Sequence, residues 1–379
     1  MQKLFLFLTL IASLFFVTSA YAAEDPFSHP NNKFGVHILF PSELSDAAKL
    51  VNSNGGDWGY VTIPIQAGDK DREKWQNFFV QCSKVHIIPI IRLATEGDYF
   101  NTQVWRKPTY LDVLDFANFL GDLTWPTKNR YIIVFNEVNR GNEWGGTPSA
   151  SEYADILSYA VTAFKTNSQD FYLISSGMDN ASVNSSTTSN EYSFMQGMND
   201  AIPGIFNQID ALGSHSYPNP AFSTPPWILN RESIDSFSYE ASLVHQFTSK
   251  QLPVFITETG WSSANLSDDT IASYYQNAFT TAWDNPHIVA ITPFLLKAGS
   301  GPFTQFSLED GDGTLSKVFK AIQALPKIKG DPTRMPQVLA DEIIKHPSKE
   351  ERFSNKLLKE VRIQLSHTTK QFFKWMLGM

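Results

Sequence analysis

Short apolar runs alternate with amphipathic stretches along most of this chain, and this alternation restricts the possible fold more than any other property. Runs rich in Ile, Val and Phe predict strands buried on both faces, as in a parallel sheet. Eight such runs occur: Lys33–Leu39, Trp58–Pro64, Ile87–Arg92, Tyr131–Phe135, Phe171–Ser175, Ile209–Gly213, Val254–Thr257 and Val289–Phe294. Helical patterns separate them, including Pro108–Leu123, Ser149–Lys165, Glu232–Lys250 and Asp268–Trp283.

Eight βα units in roughly 300 residues favour an α/β protein with a (β/α)8 TIM barrel. A doubly wound open sheet is the structural alternative. That fold commonly carries a glycine-rich dinucleotide turn after its first strand, and this chain has no such turn there. The barrel is therefore the predicted fold.

The two ends of the chain differ in character from the repeating region. Residues 1–22 combine Lys3, an apolar stretch and a small-residue ending at Ala22, which predicts a cleaved signal peptide and a secreted protein, extracellular or periplasmic. An uncleaved membrane anchor is the alternative. Residues 23–327 form the predicted catalytic barrel, and residues 328–379 a linker and a helical C-terminal extension. That extension is predicted to pack on the barrel, or alternatively to act as an interaction or envelope-attachment tail.

Charge and cysteine content exclude several classes of protein. The formal net charge of the chain is −8, which makes nucleic acid an improbable partner because a phosphate backbone requires a basic surface. Cys82 is the single cysteine, so the chain cannot form an intramolecular disulfide. Its fold must be stabilised by an apolar core.

Two glutamates follow apolar strands directly. Glu137 ends the run Val134-Phe135-Asn136-Glu137, and Glu258 lies in Ile256-Thr257-Glu258-Thr259-Gly260-Trp261. Chemistry in α/β barrels is carried out at the carboxyl ends of the strands. Two carboxylates held there about 5–5.5 Å apart suit retaining hydrolysis of a glycosidic bond. At that spacing, one carboxyl stays protonated while the other is ionised.

The order of these motifs resembles that of the clan A (β/α)8 retaining glycoside hydrolases. The resemblance covers Phe34 to about Leu325. It implies that Glu137, after the fourth strand, is the acid/base and that Glu258, after the seventh, is the nucleophile. It also implies that Asn136 binds a sugar hydroxyl and that His215 and Tyr217 orient the nucleophile and bind sugar. The implied substrate is a β-linked oligo- or polysaccharide, with no cofactor and no metal.

Further candidates for sugar binding are Arg92, His37, Trp144, Trp261 and Phe294, all near predicted strand ends. At two strand ends this chain differs from many members of the superfamily, and these differences bear on which family it belongs to and which substrate it binds. Many relatives carry an Arg at the end of the second strand, where this chain has Thr62-Ile63-Pro64. Many also carry a Trp at the end of the eighth strand, where the nearest aromatic residue is Phe294.

Two other functions remain open from the sequence. A non-catalytic glycan-binding barrel would keep the cleft without turning over substrate. A metal-dependent barrel hydrolase would need a His-x-His pair or a carboxylate/His cluster at the strand ends. Here His215 is followed by Tyr217 where a second His would stand, so the metal enzyme is the less favoured of the two.

Overall fold

The computed structural model describes residues 22–95, 103–309 and 313–336. In these ranges eight strands and eight α-helices alternate. The strands are β1 Gly35–His37, β2 Gly59–Gln66, β3 Ile87–Ala94, β4 Arg130–Ile133, β5 Phe171–Ile174, β6 Leu212–His215, β7 Val254–Glu258 and β8 Ile288–Ile291. The helices are α1 Leu44–Val51, α2 Arg72–Lys84, α3 Tyr110–Gly121, α4 Ala150–Asn167, α5 Glu191–Ala201, α6 Ser236–Val244, α7 Asp268–Thr280 and α8 Lys317–Ala324.

All strand pairings between these elements are parallel, and the strands follow one another in chain order. They form two ladders, one running from β1 to β5 and the other from β6 to β8. Isolated parallel bridges join the ladders at two seams, Ile174 with Ala211 and Asp179 with His215 at one, and Phe34 with Ile291 at the other. The ring of strands is thus completed by isolated bridges, and the predicted (β/α)8 barrel is confirmed.

Alternate residues of each strand point into the barrel or out toward the helices, as the period of two requires. The inner cluster is rich in tyrosine and includes Tyr60, Tyr131 and Tyr172 together with Phe255. A larger outer cluster fills the space between strands and helices. The interior below the site is therefore packed, and the larger open volume lies toward the carboxyl ends of the strands.

Helix starts follow local sequence signals. The Asp71 side chain accepts hydrogen bonds from the backbone N–H groups of Glu73 and Lys74 at the start of α2. At the start of α4, Ser149 Oγ accepts a hydrogen bond from the N–H of Glu152. Capping side chains thus satisfy amides that the first helical turn cannot pair internally.

Element ends differ from the prediction in several places. Strand β6 ends at His215, two residues beyond the predicted end, and β8 ends at Ile291, three residues before Phe294. Helix α6 covers Ser236–Val244 only, because the chain turns from His245 onward. Apolar patterns locate a buried element more reliably than they locate its last residue.

The N-terminal segment seals the end of the barrel opposite the site. The backbone N–H of Glu24 donates to Asn129 Oδ1 at 2.8 Å, and Asn31 Nδ2 donates to the carbonyl of Val289 at 2.7 Å. Tyr60 contributes its hydroxyl to Asn31 Oδ1 at 2.6 Å. No described helix is both long and apolar enough to cross a membrane. The predicted signal peptide (apart from Ala22) and nearly all of the C-terminal extension, from residue 337 on, lie outside the described residues.

Candidate active site

A cavity of about 430 Å³ opens at the carboxyl ends of the strands. One side of it is polar and charged, with Arg92, Asn136, Glu137, Arg140, Glu143, Asp179 and Glu258. The other side is aromatic, with Tyr217, Phe222, Phe294, Phe303 and Phe306. A pocket with one ionic wall and one aromatic wall can bind a sugar through both its hydroxyls and its apolar faces.

Glu137 reaches the cavity from the turn after β4. Its φ of 34° and that of Phe135, 69°, place both residues in the left-handed region, which side chains seldom adopt. The N–H of Glu137 donates to the carbonyl of Gly177 at 3.0 Å, which ties this turn to the end of β5. Unusual backbone held in place by neighbouring strands is frequent at functional sites.

Glu258 is the last residue of β7 and is 6% exposed. Tyr217 donates its hydroxyl to Glu258 Oε2 at 3.0 Å, and Arg92 Nη1 donates to Oε1 at 3.3 Å. Charged and hydroxyl donors on both oxygens compensate for the loss of hydration at this depth. The carboxylate is therefore fixed in position by the ends of β3 and β6.

His215 lies between the two glutamates. Its Nδ1 is 3.1 Å from Glu137 Oε1 and 3.8 Å from Glu258 Oε2. The ring fits there because residue 177 is glycine, since a Cβ at that position would stand 2.1 Å from His215 Cδ2. Burial lowers the pKa of His215, but the charges of Glu258 and Glu137 outweigh burial and raise it overall.

The carboxylate oxygens of Glu137 and Glu258 lie within 4.8 Å of each other. Two ionised carboxylates at that distance repel by about 3 kcal/mol at an effective dielectric near 20. Burial acts to raise the pKa of Glu137, yet its contacts with His215 and Arg140 lower the pKa to about 2. Arg140 Nη1 is 3.1 Å from Glu137 Oε2. The sequence predicted a protonated acid at this position. That prediction did not include the contact with Arg140, which favours the ionised form of Glu137.

A further glutamate in the cavity received no role from the sequence. Glu143 belongs to a second Asn-Glu pair. This pair does not follow a predicted strand, so the sequence alone provided no reason to place Glu143 in the site. Burial and the charge of Glu137 raise the pKa of Glu143 to about 7. The Asn136 side chain donates a hydrogen bond to it. The spacing of the strand-end motifs did not predict that a short turn would bring the Glu143 carboxyl into the cavity.

The aromatic wall differs from the one predicted. Trp144 and Trp261 are 1% and 2% exposed, and their Nε1 atoms donate to Glu152 Oε2 and to the carbonyl of Thr224. Neither ring lines the cavity, so both sugar-platform predictions were wrong. Both tryptophans follow a strand-end motif, but the loops that carry them direct the two rings away from the cavity. Phe294 does line the cavity, and so does Trp105.

His37 was predicted to reach a sugar hydroxyl, and the structure places it elsewhere. It is 0% exposed, does not line the cavity, and lies with Nε2 3.8 Å from Glu258 Oε1. Burial and the nearby positive charge of Arg92 lower its pKa well below the usual value. His37 is thus a neutral group beneath the glutamate, packed edge-on against Phe294.

The remaining predicted site residues fall into two groups. Arg92, Asn136, Tyr217 and Phe294 line the cavity with the two glutamates. His215, at 1% exposure, does not line the cavity and lies against the two glutamates. One donor atom each from Glu137, His215 and Glu258 lies within 4.8 Å of the others, a set that could also hold a metal ion. These three are the described residues with the geometry of a metal site.

Comparison with known proteins places this site in a family. A family model described as a glycosyl hydrolase catalytic core matches residues 108–321, more than half of the chain. The chain belongs to this family. The matched region contains both glutamates, His215 and the aromatic wall. The resemblance seen in the sequence is confirmed, and this glycosyl hydrolase core is expected to cleave glycosidic bonds.

Solved structures with the same fold are themselves glycoside hydrolases. A family 39 enzyme from Bacteroides cellulosilyticus WH2 is 18% identical, with a TM-score of 0.57 over 79% of this chain and 64% of its own. A GH39 β-xylosidase from Caulobacter crescentus is 13% identical, with a TM-score of 0.54 over 80% of this chain and 72% of its own. A GH128 (subgroup II) endo-β-1,3-glucanase from Sorangium cellulosum is 15% identical, with a TM-score of 0.53 over 78% and 98%.

These identities establish a shared barrel and not a shared substrate. The chain spans 64% of the length of the family 39 enzyme, so that protein has parts with no counterpart in this alignment. No curated protein matches the sequence significantly.

Proposed function

We propose that this glycosyl hydrolase is a retaining β-glycosidase that works by double displacement. Glu258 is the proposed nucleophile and Glu137 the proposed acid/base. The observation that supports this is that one carboxylate oxygen of Glu137 lies within 4.8 Å of one of Glu258, across the mouth of the barrel. Retaining enzymes hold their two carboxyl groups about 5–5.5 Å apart, whereas inverting enzymes need about 6.5–9.5 Å to admit a water.

In the first step, a Glu258 oxygen attacks the anomeric carbon while Glu137 gives its proton to the leaving oxygen. The glycosidic bond breaks and an ester bond forms between the sugar and Glu258. In the second step, Glu137 takes a proton from water, and that water's oxygen displaces the Glu258 carboxylate. The Glu258 carboxylate loses its negative charge when the ester forms and regains it when the ester is hydrolysed. Tyr217 and Arg92, which contact Glu258, stabilise that charge.

The proposal requires a proton on Glu137 at the first step, although Arg140 and His215 favour its ionised form in the free protein. Arg140 has a second acidic partner within reach, since its side chain is 37% exposed and also lies 3.6 Å from Asp179 Oδ2. A bound sugar that moves Arg140 toward Asp179 would remove a cation from Glu137 and raise its pKa. Substrate binding then supplies the protonated acid.

Sugar recognition is assigned to both walls of the cavity. Asn136 Oδ1 receives no hydrogen bond from any described residue, so it can accept one from a sugar hydroxyl. Phe294 and Phe303 pack edge to face with ring centres 5.2 Å apart and offer an apolar surface. The structural neighbours include enzymes named for β-xyloside and β-1,3-glucan cleavage. A β-linked oligo- or polysaccharide is the substrate class that we propose here.

A panel of 2-deoxy-2-fluoro aryl β-glycosides tests this assignment. The fluorine slows both steps, and the activated leaving group lets the covalent intermediate accumulate. We expect time-dependent inactivation and a labelled peptide that contains Glu258. Labelling of another residue would refute the assignment. Product with inverted anomeric configuration in an NMR time course would refute the retaining mechanism.

We also propose that the protein is exported and that cleavage follows Ala22. Residues just beyond that point already contact the barrel, because the N–H of Ala23 donates to the carbonyl of Gln169 at 2.8 Å. Cleavage there would leave the segment that seals the barrel intact. Envelope association through the C-terminal tail remains a hypothesis from the sequence alone.

A further inference from the structure

Two buried glutamates that take no part in this mechanism lie behind strand β6. Glu191, at the start of α5, is 1% exposed, and Glu240, in the middle of α6, is 2% exposed. Burial raises the pKa of both carboxyl groups, and the charge of Glu240 raises that of Glu191 further. Two neighbouring carboxyl groups at such depth do not both ionise, so one of them holds a proton.

Glu191 carries that proton. The charged groups that act on it are Glu240 and Asp179, both acids, and burial adds to their effect, so its pKa is raised well above the usual value. Glu191 Oε2 receives no hydrogen bond from a donor in the described ranges. Glu240 instead accepts two, from Ser214 Oγ at 2.7 Å and from Ser236 Oγ at 2.9 Å. When the pair ionises, its negative charge therefore resides on Glu240, whose pKa burial raises to about 7.

The serines that contact Glu240 connect it to the active site. Ser216 Oγ lies 2.8 Å from Ser214 Oγ and 3.1 Å from Ser236 Oγ, which closes a web of three hydroxyls and one carboxylate. Ser214 and Ser216 flank His215 in the chain. The web thus holds the backbone on both sides of the histidine that stands between the two proposed catalytic glutamates.

Strand β6 needs such support at this point. Its pairing with β7 shifts register between Ser214 and His215, so that Ser214 faces Ile256 while His215 faces Glu258. An irregularity of this kind re-aims a side chain and interrupts the ladder that would otherwise fix it. The side-chain web supplies the anchoring that the ladder lacks, on the face of the strand that turns away from the cavity.

We propose that Glu191 and Glu240 share one proton and act as a positioning pair, which fixes the irregular end of β6 and so aims His215 at Glu137 and Glu258. The pair touches neither substrate nor reacting atoms. This inference rests on the proposed function for its catalytic consequence. Its structural part, the link between Glu240 and His215, can be tested without any substrate.

The groups that face the pair come from three neighbouring elements. His215 belongs to β6, Asp179 follows β5, and Tyr192 lies beside Glu191 on α5 with a pKa raised by burial and by both glutamates. Among these, His215 is the group whose imidazole can be followed by NMR and used to report on the charge of Glu240. Removing the charge of Glu240 should lower the pKa of His215, because a nearby anion favours the imidazolium form.

Activity measurements on three variants test the positioning role. Glu240→Ala removes both serine contacts, Glu240→Gln keeps an acceptor oxygen for them, and Val244→Ala opens a cavity in the same helix without touching the web. For Glu240→Ala we expect kcat to fall about 10- to 100-fold with KM within about twofold, the cost of a misplaced catalytic constellation. Glu240→Gln should recover most of kcat. Val244→Ala should lose thermal stability but keep its kcat per folded molecule.

A purely structural role predicts a different pattern. In that case Glu240→Ala would behave like Val244→Ala, with a lower melting temperature and an unchanged kcat per folded molecule, and the proposal would be wrong. If Glu240→Ala does not fold, Glu240→Gln still decides the question through His215. Its imidazole resonances, assigned with a His215→Asn variant, should titrate about half a pH unit or more lower in Glu240→Gln than in the wild type.

The titration also separates this inference from the proposed function. A wild-type protein that cleaves no glycoside would refute the glycosidase mechanism and leave the NMR comparison intact. Identical His215 titration curves in the wild type and Glu240→Gln would overturn the positioning pair even in a fully active enzyme. Val244→Ala serves as the control, since its His215 curve should match the wild type.

Discussion

Two glutamates on the same short segment, Glu137 and Glu143, reach the cavity in different states of charge. Arg140 and His215 lower the pKa of Glu137 to about 2, whereas burial raises the pKa of Glu143 to about 7. One carboxylate oxygen of Glu137 lies within 4.8 Å of one of Glu258. That short distance is the reason we propose Glu137, rather than its neighbour, for proton transfer.

Substitution of each glutamate by glutamine separates these roles. Glu137→Gln should lower kcat/KM about 10²- to 10⁴-fold on substrates with poor leaving groups, since they need a proton in the transition state. The loss should be much smaller with a dinitrophenyl leaving group. Glu143→Gln should lower activity by less than about tenfold and show no dependence on the leaving group. The opposite pattern would make Glu143 the acid.

Arg140 provides a second test at the level of a single residue. Because its charge lowers the pKa of Glu137, Arg140→Gln should raise that pKa and move the basic limb of the kcat/KM profile to higher pH. The basic limb is the relevant one, since activity is lost when the acid deprotonates. Arg334→Gln, an exposed arginine paired with Asp331, is the matched control and should leave the profile unchanged. A shift toward lower pH would contradict the contact seen here.

At the scale of elements, the end of β5 leaves space for the histidine on β6. A Cβ at residue 177 would stand 2.1 Å from His215 Cδ2, so Gly177→Ala must displace the imidazole or the strand. We expect kcat to fall about 10- to 100-fold, because His215 would no longer bridge Glu137 and Glu258. Gly68→Ala is the control, since an added Cβ there meets nothing within 4 Å. Steady-state kinetics on both variants checks this, and equal activities would contradict it.

The sequence predicted the elements well and their three-dimensional relations less well. Buried runs such as Tyr131–Phe135 located each strand, because hydrophobic burial shows directly in composition. The strand order then placed Glu137 and Glu258 at one end of the barrel. Trp144 and Trp261 were misassigned because a strand-end position does not say which way the following loop turns. Arg140 was missed for the same reason.

Tertiary contacts explain why the end of β6 differs from the prediction. The predicted strand stopped at Gly213, because glycine and serine are weak strand formers. The observed strand continues to His215 through an irregular pairing that tertiary contacts support. The strand propensity of these residues predicted the wrong end for β6, because the buried contacts around Glu240 outweigh that propensity. Contacts between residues 26 positions apart, such as Ser214 and Glu240, leave no periodic signal in a single sequence.

At the scale of the whole molecule, the N-terminal segment offers a test of export. If cleavage follows Ala22, N-terminal sequencing of protein recovered from outside the cytoplasm should begin at Ala23. The new α-amino group would lie at the sealed end of the barrel, where Lys128 Nζ and Asp170 form an ion pair. An intact Met1 on exported protein would refute the cleavage, and retention in the cytoplasm would refute the export.

The two ladders of the barrel divide the proposed machinery between them. Glu137 lies in the turn that follows the five-stranded ladder's β4, and Glu258 and His215 lie on the three-stranded ladder, with isolated bridges at Ile174–Ala211, Asp179–His215 and Phe34–Ile291 as the joins. The distance between the two proposed catalytic carboxylates therefore depends on how these joins hold the ladders together. A change of side-chain volume at a join is expected to change that distance without touching the cavity.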